Sequence, residues 1–540
     1  MLDYDREQIT KKDVQIIVTY LSPENYLDIV CSHSQVVCQI IEKYGDVLLA
    51  DFLNELTPCV EPPFQERTDL LEVIYRYASP LLGDSQARKA SQDLDTSSIV
   101  LTANHHGTDF FAQSVQGSLF FSIYKSNAND SVSTVPVFSC GNVPLDNLTY
   151  PLGLLLYNAD EKDLGAIPKK LPVFSNRFRR TMVSVSAPLD ESMVKRAENQ
   201  IVKMAREKKI SPLIEQHLHE IFQEDYCSKA ILDLPNYSDQ AVVLNNRIWK
   251  RFFSKSLIAP GMIYLELEKI VHMLLASDLL NSESLAWFVL FDADLREAVL
   301  RELDNTNLCW SRNKLSQRLS IDTFESSRNK ALNNCGTIFF WGINPSGRRI
   351  PLYLETRGNN GEVLRGVDER GRIWELPYTP QSILNALNQN HLLPSIFTCF
   401  LVLSFARGIT CVGGYYQCEY LPLMQEGLIK ALKNTFGYHD VASFVASVTT
   451  DTYLSGMQAV MIRVKEDALV PAGPVEIIAG GGLTDKDINK ILSLSVKDAH
   501  LASLFETIPD FVPWVIKSPS WKEQLALDCF RILERRVVIK

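Results

Sequence analysis

Between Ser97 and Tyr157 the spacing of apolar residues shifts from a helical to a strand-like pattern, and this shift constrains the fold more than any other feature of the 540-residue chain. Ile99-Val100-Leu101-Thr102, Leu119 to Tyr124, Val135-Pro136-Val137-Phe138 and Leu152 to Tyr157 read as short strands, separated by loops and by a short helix starting near Thr108. Strands alternating with helices mark an α/β layer, expected here over residues 96–186. Before it, apolar positions recur at three and four in Val14-Ile17-Val18-Leu21 and Leu48-Leu49-Phe52-Leu53, which predicts a helical N-terminal unit over 1–95. Asp84 to Ser98 reads as a polar connector between the two.

Helical periodicity returns over 187–330, where Ser211 can cap a helix that opens on Pro212 and turns Ile214, Leu218, Ile221 and Phe222 inward. Over 331–540, Thr337 to Trp341, Ile350 to Glu355, Val363 to Val367 and Ile373 to Leu376 predict an antiparallel meander. Its turns are expected at Asn344-Pro345-Ser346-Gly347 and Gly358-Asn359-Asn360-Gly361. A C-terminal α/β part follows, with strands at Gly408 to Gly413, Ala459 to Val464 and Val475 to Ala479. The fold class expected is therefore α/β (mixed α+β), in four consecutive segments.

A net charge of −10 argues against a nucleic acid as principal partner, because such binding rests on surplus Lys and Arg. The charge is uneven: Lys169 to Lys209 carries eleven basic against four acidic residues. Eleven cysteines include no C-x2-C pair, and the first residues, Met1-Leu2-Asp3-Tyr4-Asp5-Arg6-Glu7, lack the order of a secretory signal, so a reducing, cytoplasmic setting is expected. Leu392 to Ala406 is too short and too polar to span a bilayer and reads as a core helix.

The most suggestive segment is Asn104-His105-His106-Gly107-Thr108-Asp109, which follows a strand and precedes a helix. Open α/β sheets place ligands beyond the C-terminal ends of their strands. A histidine there can act as general base, oriented by a nearby carboxylate, which casts His105 or His106 as base and Asp109 as its partner. Taken alone, the same residues also suit an ordinary turn with Thr108 or Asp109 as a helix cap.

This strand–histidine–helix order resembles the first motif of glycerolipid acyltransferases, in which a His and an Asp with four residues between them deprotonate an acceptor hydroxyl. Here three residues separate His105 from Asp109 and two separate His106 from it, and the later Phe-Pro-Glu-Gly motif has no counterpart. The resemblance is confined to six residues and implies acyl transfer only by analogy.

Arg177, Arg179 and Arg180, together with Asn104, are the expected anchors of an anionic substrate, since Arg suits bidentate capture of carboxylate or phosphate. Tyr415, Tyr416 and Gln417, after the Gly413-Gly414 pair, could wall a small ligand. Ile477-Ile478-Ala479-Gly480-Gly481-Gly482-Leu483-Thr484-Asp485 resembles a strand-to-phosphate-loop-to-helix turn. A separate metal reading draws on His217 with Glu220 and on Glu268 with His272, at helical spacing. No G-x-G-x-x-G, Walker, H-E-x-x-H or G-x-S-x-G motif occurs, and the cofactor, if any, is left unknown. Three functions are compatible with these features: a small-molecule transferase with a His/Asp base and an anionic substrate, a metal-dependent enzyme, and a non-catalytic ligand-binding or scaffold protein.

Overall fold

The computed structural model describes the chain outside residues 1–21, 58–62, 129–133, 150–151, 159–163, 165–166, 256, 258–259, 321–334, 359–360 and 512–519. The first residues and the Val14 to Leu21 pattern fall outside this set, as do Asn359 and Asn360 of the expected turn. The fold is mixed α and β, with one parallel sheet and several small antiparallel ones.

Five strands build the parallel sheet: β1 (Ile99–Leu101), β2 (Thr134–Ser139), β3 (Gly261–Glu266), β4 (Thr410–Gly414) and β5 (Tyr453–Ser455). Their spatial order is 3-2-1-4-5, and every pairing is parallel, with Ile99 opposite Thr410, Leu101 opposite Val137, Val137 opposite Tyr264 and Gly413 opposite Tyr453. This is the strand order of a doubly wound sheet, in which the chain leaves β1 and β4 in opposite directions. The strands read as apolar runs because both faces are buried. Ile99, Leu101, Val137, Tyr264 and Val412 join one core. Val100, Phe138, Ile263, Leu265 and Cys411 join a second core on the other face.

The helix Ala112–Ala128, after β1, buries Val115, Leu119 and Phe120 in the first core. The helix Tyr415–Asn434, after β4, buries Leu421, Met424 and Leu428 in the second. A fully buried guanidinium ties the second core together: Arg407 bonds Asp69 of the helix Thr68–Leu82 and Asp278 of the helix Leu267–Asp278, the latter at 2.7 and 3.0 Å.

The expected strand at Leu119 to Tyr124 is instead the middle of the helix Ala112–Ala128, buried on nearly every side, so its apolar run carries no clean period. Val475 to Ala479 is likewise helical, within Pro474–Ala479, because Pro474 sits at the first helical position. β3 lies inside the stretch expected to be helical; a single charged residue, Glu266, separates its apolar run from the helix Leu267–Asp278. The meander divides into two three-stranded sheets, Tyr353–Thr356 with Glu362–Val367 and Ile373–Pro377, and Phe340–Ile343 with Arg349–Pro351 and Leu392–Pro394. Leu392 to Ala406 is a strand, a short helix and a π-helical turn, all buried. Among the described residues no helix is long and apolar enough to cross a membrane.

Candidate functional site

The loop from Thr102 to Phe111 leaves the C-terminal end of β1 and is gripped from every side. Asn245 holds it twice, accepting the Asp109 N–H at 2.9 Å and donating to Gly107 O at 2.7 Å. The Tyr237 hydroxyl accepts the Thr108 N–H at 3.0 Å, and the Tyr264 hydroxyl donates to His105 O at 2.7 Å. Gly107 adopts φ 131°, a conformation that a side chain would strain. On the far side, Cys140 at the end of β2 pairs with His105 in a parallel bridge: Cys140 N donates to Asn104 O at 2.9 Å and His106 N to Cys140 O at 2.7 Å.

The two histidines therefore leave the backbone in opposite directions and meet different chemistry. His106 is fully buried and lies 5.8 Å from the Tyr264 ring, stacked on it. Its Nδ1 lies 2.8 Å from Ser139 Oγ and its Nε2 2.9 Å from Ser238 Oγ, while Ser238 donates to Glu266. Both ring nitrogens lie within hydrogen-bond distance of a serine hydroxyl, and burial pushes the ring's pKa down despite the nearby Glu266.

His105 is half-buried, with Nδ1 3.2 Å from Thr149 Oγ1. Thr149 donates its own proton to Asn147 Oδ1, so Nδ1 must carry the hydrogen and Nε2 is left as an acceptor. Among the described residues none bonds that Nε2. Burial pulls the His105 pKa down to about 4, which keeps the ring neutral at physiological pH.

Asp109 meets neither histidine. Its carboxylate accepts from Ser114 Oγ at 2.6 Å, Asn104 Nδ2 at 3.0 Å and the Phe111 N–H at 3.1 Å. Burial raises its pKa to about 6. Asn104 points inward as well, donating to Asp109 and to Ser118 Oγ at 3.1 Å.

The three arginines lie on the surface, outside this cage. Arg179 Nε pairs with Asp146 at 3.2 Å, Arg180 N donates to Asp146 Oδ1 at 2.7 Å, and Arg177 stacks over Phe178. Asp146 and Thr149 belong to one turn, so the Arg179 side chain, the Arg180 backbone and the His105 ring are linked through it. At the end of β4, Gln417 accepts from Thr102 Oγ1 at 2.9 Å, Tyr415 donates to Asp510 at 2.6 Å, and Tyr416 packs on Phe511. The His105 and Tyr415 loops thus flank the point where the strand order reverses. Two cavities border the histidine loop, one beside Thr108 and Tyr237 and one beside Asp109 and Asn245. Each is about 10 Å³, room for at most one water.

The residues considered for a metal do not assemble. His217 pairs with Glu220 at 2.9 Å on its own helix, His272 bonds Asn388 at 2.9 Å, and Glu268 caps the turn after β2. Among the described residues no three His, Cys, Asp or Glu side chains could hold a metal ion. The Gly480-Gly481-Gly482 turn follows a helix rather than a strand, and Thr484 caps the next helix through a capping box with Asp487. Ser139, Ser238, Glu266, Tyr264, Asn245 and Tyr237 are the loop's principal partners. None carried a sequence signal, because each reaches the loop from a distant part of the chain.

Strand order and loop placement define a doubly wound α/β protein with a histidine at the ligand-bearing end of its parallel sheet. No protein-family model, curated protein or solved structure matches the chain.

Proposed function

We propose that the protein is a small-molecule transferase whose general base is His105, acting on an anionic substrate through transfer of an acyl or related group. The observation that carries this reading is the asymmetry of the histidine pair. His106 is a buried brace with both nitrogens filled, whereas His105 is a neutral, half-buried imidazole with a fixed tautomer and a lone pair on Nε2. The free lone pair on Nε2 can take a proton from an attacking nucleophile, although burial makes the ring a weaker base than an exposed histidine. The Asp146 turn links His105 to the stretch carrying Arg179 and Arg180, which supports an anionic substrate.

Purified protein incubated with a metabolite extract, and followed by mass spectrometry for ions consumed and produced, tests the reading. Turnover by the wild type that disappears in His105→Gln supports it. Turnover retained in His105→Gln, or none by the folded wild type, ends it. The second outcome would favour recognition without catalysis, a reading that the one-water cavities beside the loop support.

A further inference from the structure

On the face of the sheet opposite His106, a second set of groups gathers at the ends of β2 and β3. Cys140 follows β2 two residues after Phe138, so its side chain leaves on the Phe138 side, toward the second core. Glu268, fully buried in the first turn of the helix Leu267–Asp278, accepts the Gly141 N–H at 2.6 Å, the Asn142 N–H at 3.0 Å and the Cys140 thiol at 3.1 Å. Cys140 itself is half-buried. His105, its partner across the parallel bridge, leaves the backbone on the same side. The Asn142 side-chain oxygen, on the same turn, is buried and without a hydrogen-bond partner among the described residues.

We propose that Cys140 is the nucleophile of the transfer reaction and Glu268 its base, so that the acyl group passes through a Cys140 thioester before reaching the anionic acceptor. This deepens the transferase reading and rests on it. A thiol raised by burial, as Cys140 is, does not ionise unaided and needs an adjacent base. Burial and the nearby Glu266 carboxylate raise Glu268 to about 7, a stronger base than an ordinary carboxylate. The other groups facing the pair are Arg349, from the strand Arg349–Pro351, the Cys399 thiol, from the helix Ile396–Phe400, and the Tyr420 phenol, from the helix Tyr415–Asn434. Arg349 favours the thiolate.

In the first half-reaction Cys140 Sγ attacks the carbonyl carbon of an acyl thioester while its proton passes to Glu268. The adduct collapses, the bond from that carbon to the donor sulfur breaks, and the donor leaves as a thiol carrying the proton from Glu268. In the second, His105 Nε2 takes the proton of the acceptor nucleophile as it attacks the Cys140 thioester, and returns it to the Cys140 sulfur that is released.

Acetyl-CoA is the probe. Incubation with the full-length wild type, followed by peptide mapping at acid pH, should place one acetyl group on Cys140 rather than on the other cysteines. The rate should rise as pH climbs through about 7, the value to which Glu268 is raised. Glu268→Gln should slow acetylation about a hundredfold and flatten that rise. Cys140→Ser, shown to be folded by its thermal unfolding, should lose the label. Acetylation of wild-type Cys140 without turnover of any metabolite would leave the nucleophile standing and remove the transferase reading. No acetyl group on Cys140 in folded wild type, an unchanged rate in Glu268→Gln, or metabolite turnover that survives Cys140→Ser would overturn the nucleophile. The last of these would leave His105 as base.

Discussion

Asn245 and Asp109 meet at 2.9 Å, the Asn245 side-chain oxygen accepting the Asp109 N–H, while the amide group of the same side chain donates to Gly107 O. One residue of the helix Tyr237–Arg251 thereby fixes the loop on both sides of Thr108. Both backbone groups are buried, and each costs about 1–3 kcal/mol when left unpaired. Asn245→Ala should lower the unfolding free energy by about 2–4 kcal/mol, read as a lower denaturant midpoint in urea.

Arg407 and Asp278 form a charge pair with almost no exposure on either partner. Removing the guanidinium leaves Asp278 as an uncompensated buried carboxylate. Arg407→Met should cost about 3–5 kcal/mol, and adding Asp278→Asn should recover part of that loss. Equilibrium unfolding of the single and double variants decides between a charge effect and a packing effect.

Arg365 makes the same kind of pair in a setting of the opposite sort. It bridges Glu355 and Glu375 on the half-exposed face of the sheet Tyr353–Thr356, Glu362–Val367 and Ile373–Pro377, at 3.0 and 3.2 Å. Water screens both contacts, so Arg365→Ala should cost less than about 1 kcal/mol, and the cost should shrink in high salt.

Glu506 is fully enclosed, receiving the Tyr157 hydroxyl and the Gln458 amide, and burial raises its pKa to about 8. A carboxyl raised in the folded state favours folding in its protonated form, so this contribution is complete below about pH 4.5 and is lost as pH rises toward 8. Relative to Glu506→Gln, wild-type stability should therefore fall with rising pH, by at most about 1.4 kcal/mol per pH unit between those limits. Parallel denaturation of the two proteins at pH 5 and pH 8 tests the sign; a gap that widens in favour of the wild type at pH 8 would refute it.

β1, β2 and the histidine loop were readable from local pattern because their β-branched run and their Asn, His, Gly and Asp residues carry information within a few positions. β3 was not, since Met262-Ile263-Tyr264-Leu265 is followed after Glu266 by a helix, and so short an apolar run does not announce where the period changes. Leu119 to Tyr124 failed for the related reason that a helix buried all round has no polar face. The environment of the loop was out of reach in principle. Ser238, Asn245 and Tyr264 lie more than a hundred residues downstream, and no local rule says which serine, amide or phenol will arrive there.

Strand β1 occupies the middle of the sheet, yet Thr102, just past its end, bonds Val412 of β4 across a separation of 310 residues. At a translation rate of about 5–20 residues per second, a nascent chain would wait roughly 15–60 s between making β1 and making its second neighbour. Throughout that interval the open side of Ile99-Val100-Leu101 is an apolar edge without a partner, so chaperone occupancy and aggregation during synthesis should concentrate on this segment.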